Sequence, residues 1–334
     1  MSVLITGGAG YIGSHMAWAL HDANEPFIIM DRLSTGFAAA PPRSATLIRA
    51  DIGDSAALRN TLAEHGVSAI IHFAGSVVVP ESVAAPLDYY DNNTSKSRLL
   101  IAAAIEAGVQ HFVFSSTAAV YGTPETATVT EDSPLRPESP YGSSKLMTEI
   151  MLRDAARAHG VKFGILRYFN VAGADPRGRA GQATKGATHL IKVAVETALR
   201  KRDEFAIFGT DYPTPDGACV RDFIHVSDLI EAHLLTLKHL RSGGESLTLN
   251  CGYGRGFSVR QVVDAVQRVS GTSFRVTEGP RRPGDPAIIV ADASRAREVL
   301  NWTPRYDDLD RIVADALAWE RSERFREVAS SGQA

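Results

Sequence analysis

The sequence predicts an α/β fold, a doubly wound parallel sheet joined to a smaller mixed C-terminal substrate-binding region. Three observations predict it. Short apolar runs alternate with helical patterns through the first half of the chain. A glycine-rich turn, Gly7-Gly8-Ala9-Gly10-Tyr11-Ile12-Gly13, follows the first run and precedes the first helical pattern. Asp31 ends the second run, eighteen residues past Gly13. Together these give the Rossmann-type version of the sheet.

The elements follow in order. VLIT, from Val3 to Thr6, is short and apolar enough for a buried strand. Ile12, Met16 and Leu20 then recur at helical spacing, and Phe27 to Asp31 reads as the second strand. Asp54 is placed to cap a helix carrying Leu58 and Leu62. Ala69 to Gly75 and His111 to Ser116 are further strands, separated by a helix around residues 92–107. A long helix carries Tyr141 and runs to about His159. Phe163 to Asn170 then reads as one strand.

After Asn170 the pattern changes to a Gly/Ala-rich loop, a helix over 188–199, a Pro/Gly-rich loop around GTDYPTPDGA, and a helix over 226–240. SLTLNCG reads as a strand, and short helices are expected near 258–270, 294–301 and 308–320. This places a dinucleotide-binding domain at 1–170, with a return segment around 225–252, and a mainly substrate-binding domain at 171–334. The tail from Arg321 to Ala334 is polar and is expected to fray.

Composition excludes several classes. The chain has 334 residues, 44% hydrophobic and 22% charged, as ordinary globular proteins have. A net charge of −3 points to neither nucleic acid nor an acidic membrane surface. Two cysteines, Cys219 and Cys251, lack metal-ligand spacing and build no disulfide framework, which fits a reduced, cytoplasmic protein. The N-terminus enters the first strand at once, without a secretion signal, and no apolar run is long enough for a membrane span. His225 and His233 bracket Glu231 without matching a metal site, and read as helix and surface residues. No G-x-S-x-G elbow is present.

The glycines allow a tight turn and close approach of a pyrophosphate, which the following helix N-terminus attracts. A carboxylate at Asp31 can bind both ribose hydroxyls of NAD and repel the extra phosphate of NADP, although the adjacent Arg32 could tolerate that phosphate. Asp51 either accepts from the adenine amine or caps a helix. Tyr141 and Lys145 lie four residues apart in a helical segment and share a face. A cation beside a phenol favours the phenolate, which can take a proton from a sugar hydroxyl.

GGAGYIGSH, the SST of SSTAAVYG, and the Tyr141/Lys145 spacing resemble the extended short-chain dehydrogenase/reductase family. HFAG, PLDYYDNN, SPYGSSKLM, LRYFNVAGA, AIFGTDYPTPDGACVRDFIHV and RRPGDP narrow the resemblance to its UDP-glucose 4-epimerase branch, over nearly the whole chain. The resemblance implies transient oxidation of a UDP-sugar at carbon 4 by bound NAD. Tyr141 would be the base, Lys145 its pKa-lowering partner and a ribose ligand, and Thr117 a hydrogen-bond partner of the sugar hydroxyl. It implies cofactor contacts from Gly7, Gly10, Tyr11, Ile12, Gly13, Asp31, Asp51 and Ile52. Phe73, Ala74, Gly75, Asn92, Ser115 and Tyr168 would join them. Arg221 and Arg282 resemble the arginines that clamp the substrate pyrophosphate. Asn170, His189, Leu190, Ala206, Ile207, Phe208 and Asp285 would contact the rest of the sugar nucleotide. The family also implies a homodimer through the helices near 92–107 and 143–159, with Leu99, Leu100, Leu146, Met147 and Ile150 as candidate seam residues.

The pattern departs in places. Val77 stands where relatives carry a Lys near the NAD phosphates, and His189 replaces an Asn at the uracil side. Ile289 occupies the position that sizes the sugar pocket, intermediate between a bulky and a small residue, so slow acceptance of an N-acetylated sugar is expected. Ala118 and Ala119 stand where a dehydratase would carry an acidic pair, which argues against water elimination. Two other readings remain at this point: a 4-epimerase of another UDP-sugar, such as a UDP-pentose or UDP-uronate, and a non-catalytic NAD-binding redox sensor. The sensor would not need the Thr117, Tyr141 and Lys145 set.

Overall fold

A computed structural model describes residues 2–282 and 284–331. Seven parallel strands form the main sheet. Their order is Leu247–Cys251, Lys162–Tyr168, His111–Thr117, Val67–His72, Ser2–Thr6, Phe27–Met30 and Thr46–Ile48. Alternation along each strand explains why both faces must be covered. Val3 and Ile5 enter one apolar core, and Leu4 between them enters the other. Helices Tyr11–Asp22 and Val226–Arg241 cover the first face. Ser55–Glu64, Lys96–Glu106 and Pro140–His159 cover the second. The expected doubly wound parallel sheet is borne out.

Strand order reverses at Ser2–Thr6, which pairs with Phe27–Met30 on one side and Val67–His72 on the other. The chain therefore leaves these strands in opposite directions and opens a crevice at their C-terminal ends. A second sheet faces that crevice. Val220–His225 is its spine, with Gly256–Ser258 antiparallel on one side and Ile288–Ala291 then Thr128–Val129 parallel on the other. Phe205–Phe208 and Val276–Gly279 make a separate parallel pair.

Four local expectations are corrected. The strand expected over Phe163 to Asn170 breaks at Phe169, because Asn170–Ala172 leaves the main sheet to pair with Phe223–His225. The helix expected from residue 92 starts earlier, through Pro86–Tyr89 and a π-helical turn at Tyr90–Ser95, before the regular Lys96–Glu106. The tail does not fray at Arg321. Ser322 caps a helix over Glu323–Ser330, Phe325 packs edge-on to Trp319 at 5.9 Å, and Val328 is fully buried. Residues 332–334 of that tail lie outside the described residues, as does Pro283 of the RRPGDP motif. His225 and His233 are fully buried rather than on the surface: His225 ends strand Val220–His225 and caps helix Val226–Arg241, and His233 lies on the buried face of that helix. Among the described residues no helix is long and apolar enough to cross a membrane.

Candidate active site

The crevice is a cavity of about 920 Å³ between the C-terminal edge of the main sheet and the second sheet. The glycine turn forms one wall. Gly7 has φ +71°, and a Cβ there would stand 2.7 Å from the Ala74 backbone nitrogen. A Cβ on Gly13 would stand 2.2 Å from the Gly7 carbonyl oxygen. Only glycine lets this turn pack against Phe73-Ala74-Gly75, the segment after the neighbouring strand. Gly10 begins helix Tyr11–Asp22 without a side-chain cap, so the first N–H groups of the helix are left for a ligand. Tyr11 donates from its hydroxyl to the Gly173 carbonyl at 2.7 Å and ties this wall to the opposite one.

Asp31 sits just past the second strand. Its carboxylate accepts from the Ala9 and Leu33 backbone N–H groups at 2.9 and 2.8 Å. Burial pushes its pKa up, against those hydrogen bonds and the nearby Arg32. A carboxylate has about four lone-pair sites, so roughly two remain for vicinal hydroxyls. Asp51 accepts from Lys96 at 2.8 Å, Arg32 at 3.0 Å and the Gly53 backbone at 2.8 Å. It is not the helix cap, since Asp54 accepts from Ala56 and Ala57 and caps Ser55–Glu64. Ile52 lines the cavity beside it. A glycine cradle, an uncapped helix start and an acid at the second strand's tip open into one cavity, an arrangement that fits a dinucleotide.

The chemical centre lies deeper. Thr117 ends strand His111–Thr117, and Ser139 caps helix Pro140–His159 by accepting from the Gly142 N–H at 3.2 Å. That start places Tyr141 and Lys145 one turn apart, both buried. Tyr141, Thr117 and Tyr168 line the cavity together with Phe73, Ala74, Gly75 and Asn92. Burial raises the Tyr141 pKa, and its hydrogen bond with Thr117 acts in the opposite direction. The causes of the Tyr141 shift are that burial and that hydrogen bond, and the expected Lys145 contribution is not among them. The Lys145 ammonium instead donates to the Ser115 carbonyl at 3.0 Å and lies 4.9 Å above the Phe114 ring. Burial lowers the Lys145 pKa to about 8, with Glu149 opposing the shift.

Two supporting residues, Glu149 and Asn93, went unnoticed in the sequence, and a third, His233, reads there as a surface residue. Glu149 is fully buried and accepts from Arg167 at 3.0 and 2.7 Å, from Arg153 at 2.8 Å and from Ser116 at 2.5 Å. Its signal was present, since it follows Lys145 by four residues and shares that helix face. Asn93 accepts from the Ser76 N–H at 2.7 Å and donates to the Ser76 carbonyl at 3.0 Å, which fixes the segment after Gly75. His233 pairs its Nε2 with the Ser115 hydroxyl at 3.0 Å and stands 5.0 Å from the Phe73 ring. Ser115 is therefore a buried support beneath the site, holding Lys145 and His233. Only tertiary pairing brings His233 there.

The far wall carries the basic residues. Arg221 and Asp285 line the cavity with Asn170, His189 and Ile289. Asp285 stands between the two arginines, 3.5 Å from Arg221 and 3.0 Å from Arg282. Arg282 lies 5.1 Å over the Phe208 ring, which is 40% exposed. Ile207 is a core residue, Ala206 is half-buried, and Leu190 lines a smaller adjoining cavity beside Tyr11 and Gln182. Val77, 47% exposed, lines the cleft.

Residues 3–252 match the family described as NAD dependent epimerase/dehydratase. The UDP-glucose 4-epimerase of Azospirillum brasilense is 59% identical over 96% of this chain and 92% of that protein. A crystal structure of UDP-glucose 4-epimerase from Brucella ovis in complex with NAD superposes with a TM-score of 0.92 at 41% identity, covering 95% of this chain and 97% of that one. The UDP-Glc/GlcNAc 4-epimerase of Campylobacter jejuni gives a TM-score of 0.83 at 47% identity, covering 96% and 99%. With the glycine turn, Tyr141 and Arg221 opening on one cleft, this chain belongs to the NAD dependent epimerase/dehydratase family, on its UDP-glucose 4-epimerase branch.

Proposed function

We propose that the protein interconverts UDP-galactose and UDP-glucose by inverting carbon 4 of the sugar, with Tyr141 as the base. One observation carries this reading: Thr117 and Tyr141 open onto the same cavity as the glycine turn and Arg221. Arg221 and Arg282 hold the substrate diphosphate through their planar donor forks, and Asp285 keeps both in position. Thr117 orients the sugar hydroxyl, and the Tyr141 phenolate takes its proton. The reversible oxidation of carbon 4 is the chemistry that bound NAD supplies. Tyr141 returns the proton after the keto sugar has turned over, so the sugar gains and loses no electrons overall. The buried Lys145 charge favours the phenolate across the site, while Ala118 and Ala119 offer no second acid for elimination.

The test is to incubate the purified protein with UDP-galactose, without added NAD. UDP-glucose is expected. Absence of product even after NAD is supplied would overturn the reading.

A second reading concerns substrate breadth. Ile289 is nearly buried yet lines the cleft, at the position where bulk would limit the sugar. Slow turnover of UDP-N-acetylglucosamine is expected, and no turnover beside good activity on UDP-galactose would remove it. The protein acts in the cytoplasm as a homodimer. Met147 and Ile150, 43% and 49% exposed on helix Pro140–His159, supply the seam, whereas Leu100 is buried in the core. Light scattering should give twice the chain mass, reduced to one chain by Met147→Lys with Ile150→Lys.

A further inference from the structure

The cleft-lining residues include five carboxylates but three permanent cations, Arg32, Lys185 and Arg221. Such a lining would repel diphosphates unless its cations are well used. Two of the three already have partners: Arg32 pairs with Asp51, and Arg221 with Asp285. Lys185 is exposed, and among the described residues no hydrogen bond or ion pair holds it.

Its loop is built to let it move. The base is pinned on both sides, by a 2.8 Å hydrogen bond between Gln182 and His189 and by Arg202 donating to the Ala187 carbonyl at 3.1 Å. The tip is not. Gly186 holds φ +67°, and nothing stands within 4 Å of a Cβ placed there. A lysine on such a tip carries a compact charge on a four-carbon stem and can reach into the cleft it borders. The lining run Ser76-Val77-Val78-Val79 brings no cation of its own.

We propose that Lys185 is a diphosphate-binding residue that folds over the cleft from this loop and neutralises a phosphate of the bound nucleotide. This rests on the proposed function of the same site, but its test does not require turnover. The intact protein, as purified, is titrated calorimetrically with UDP and with uridine at low and high ionic strength, as wild type, Lys185→Gln and Lys185→Arg. NAD retention through dialysis is followed in parallel. Lys185→Gln should weaken UDP binding about tenfold at low salt, with the difference shrinking at high salt, as an exposed charge pair requires. Uridine binding should not change, and Lys185→Arg should stay near wild type. Faster NAD loss from Lys185→Gln, with UDP affinity unchanged, would assign the contact to the cofactor's diphosphate instead. Unchanged UDP affinity together with unchanged NAD retention would overturn the proposal. A wild-type protein that binds UDP but converts no UDP-sugar would sink the proposed function while leaving this one standing.

Discussion

The Lys145 ammonium donates to the Ser115 carbonyl at 3.0 Å, beneath the cavity into which Tyr141 opens. The lysine is thus held by strand backbone, and the neighbour that lowers the Tyr141 pKa is Thr117. Because burial raises the Tyr141 pKa and Thr117 lowers it, Thr117→Val should raise it further. The active form is the phenolate, so the rising limb of the kcat–pH profile should move to higher pH. At neutral pH kcat should fall by about tenfold or more. A profile with an unmoved limb would show that Thr117 does not tune the base.

Tyr141→Phe removes the base and leaves the fold and glycine turn in place. Turnover should fall by roughly 10²–10⁴-fold, with NAD still retained. The check is activity alongside the absorbance of retained cofactor.

Lys145 should lose its charge as pH rises through about 8, and with it the electrostatic support of the phenolate proposed above. The wild-type profile should therefore descend above that pH, and Lys145→Met should lack that descent while lowering kcat overall. Stability runs the other way. The folded pKa, about 8, lies below the unfolded value, so the fold disfavours the protonated form, and this group's contribution to stability rises between about pH 8 and 10.5. Lys145→Met should remove that rise in urea unfolding followed against pH.

Glu149 and Arg167 form a buried pair, 0% and 2% exposed at the side chain. Burial alone would push the Glu149 carboxyl up, but Arg167, Ser116 and Arg153 hold it below the usual range. Glu149→Gln strands the guanidinium, and urea unfolding should show a loss of about 3–5 kcal/mol. Since the folded pKa is depressed, the pair's contribution is present above the unfolded Glu value and should fade as pH drops through the folded one.

Arg221 offers its charge on the far wall of the cleft, near Asp285. Arg221→Met should raise the KM for UDP-galactose by roughly 10- to 100-fold, as loss of a charged hydrogen bond does, with kcat nearly kept. A fall in kcat without a change in KM would place Arg221 elsewhere in the reaction.

The sequence by itself determined the parallel sheet, the glycine turn, the acid at Asp31 and the shared face of Tyr141 and Lys145. Each is a short-range pattern, in which period, spacing and backbone freedom act within a few residues. Tertiary structure alone decided what Lys145 touches, that Asp285 joins Arg221 to Arg282, and that His233 sits under Phe73. It also decided that Asn170–Ala172 abandons the main sheet for Val220–His225. These depend on contacts between segments far apart in the chain, where burial and pairing geometry override local preference. A side chain's charge state follows from those contacts, so the pKa values of Tyr141 and Lys145 became legible only once the helix was packed on the sheet.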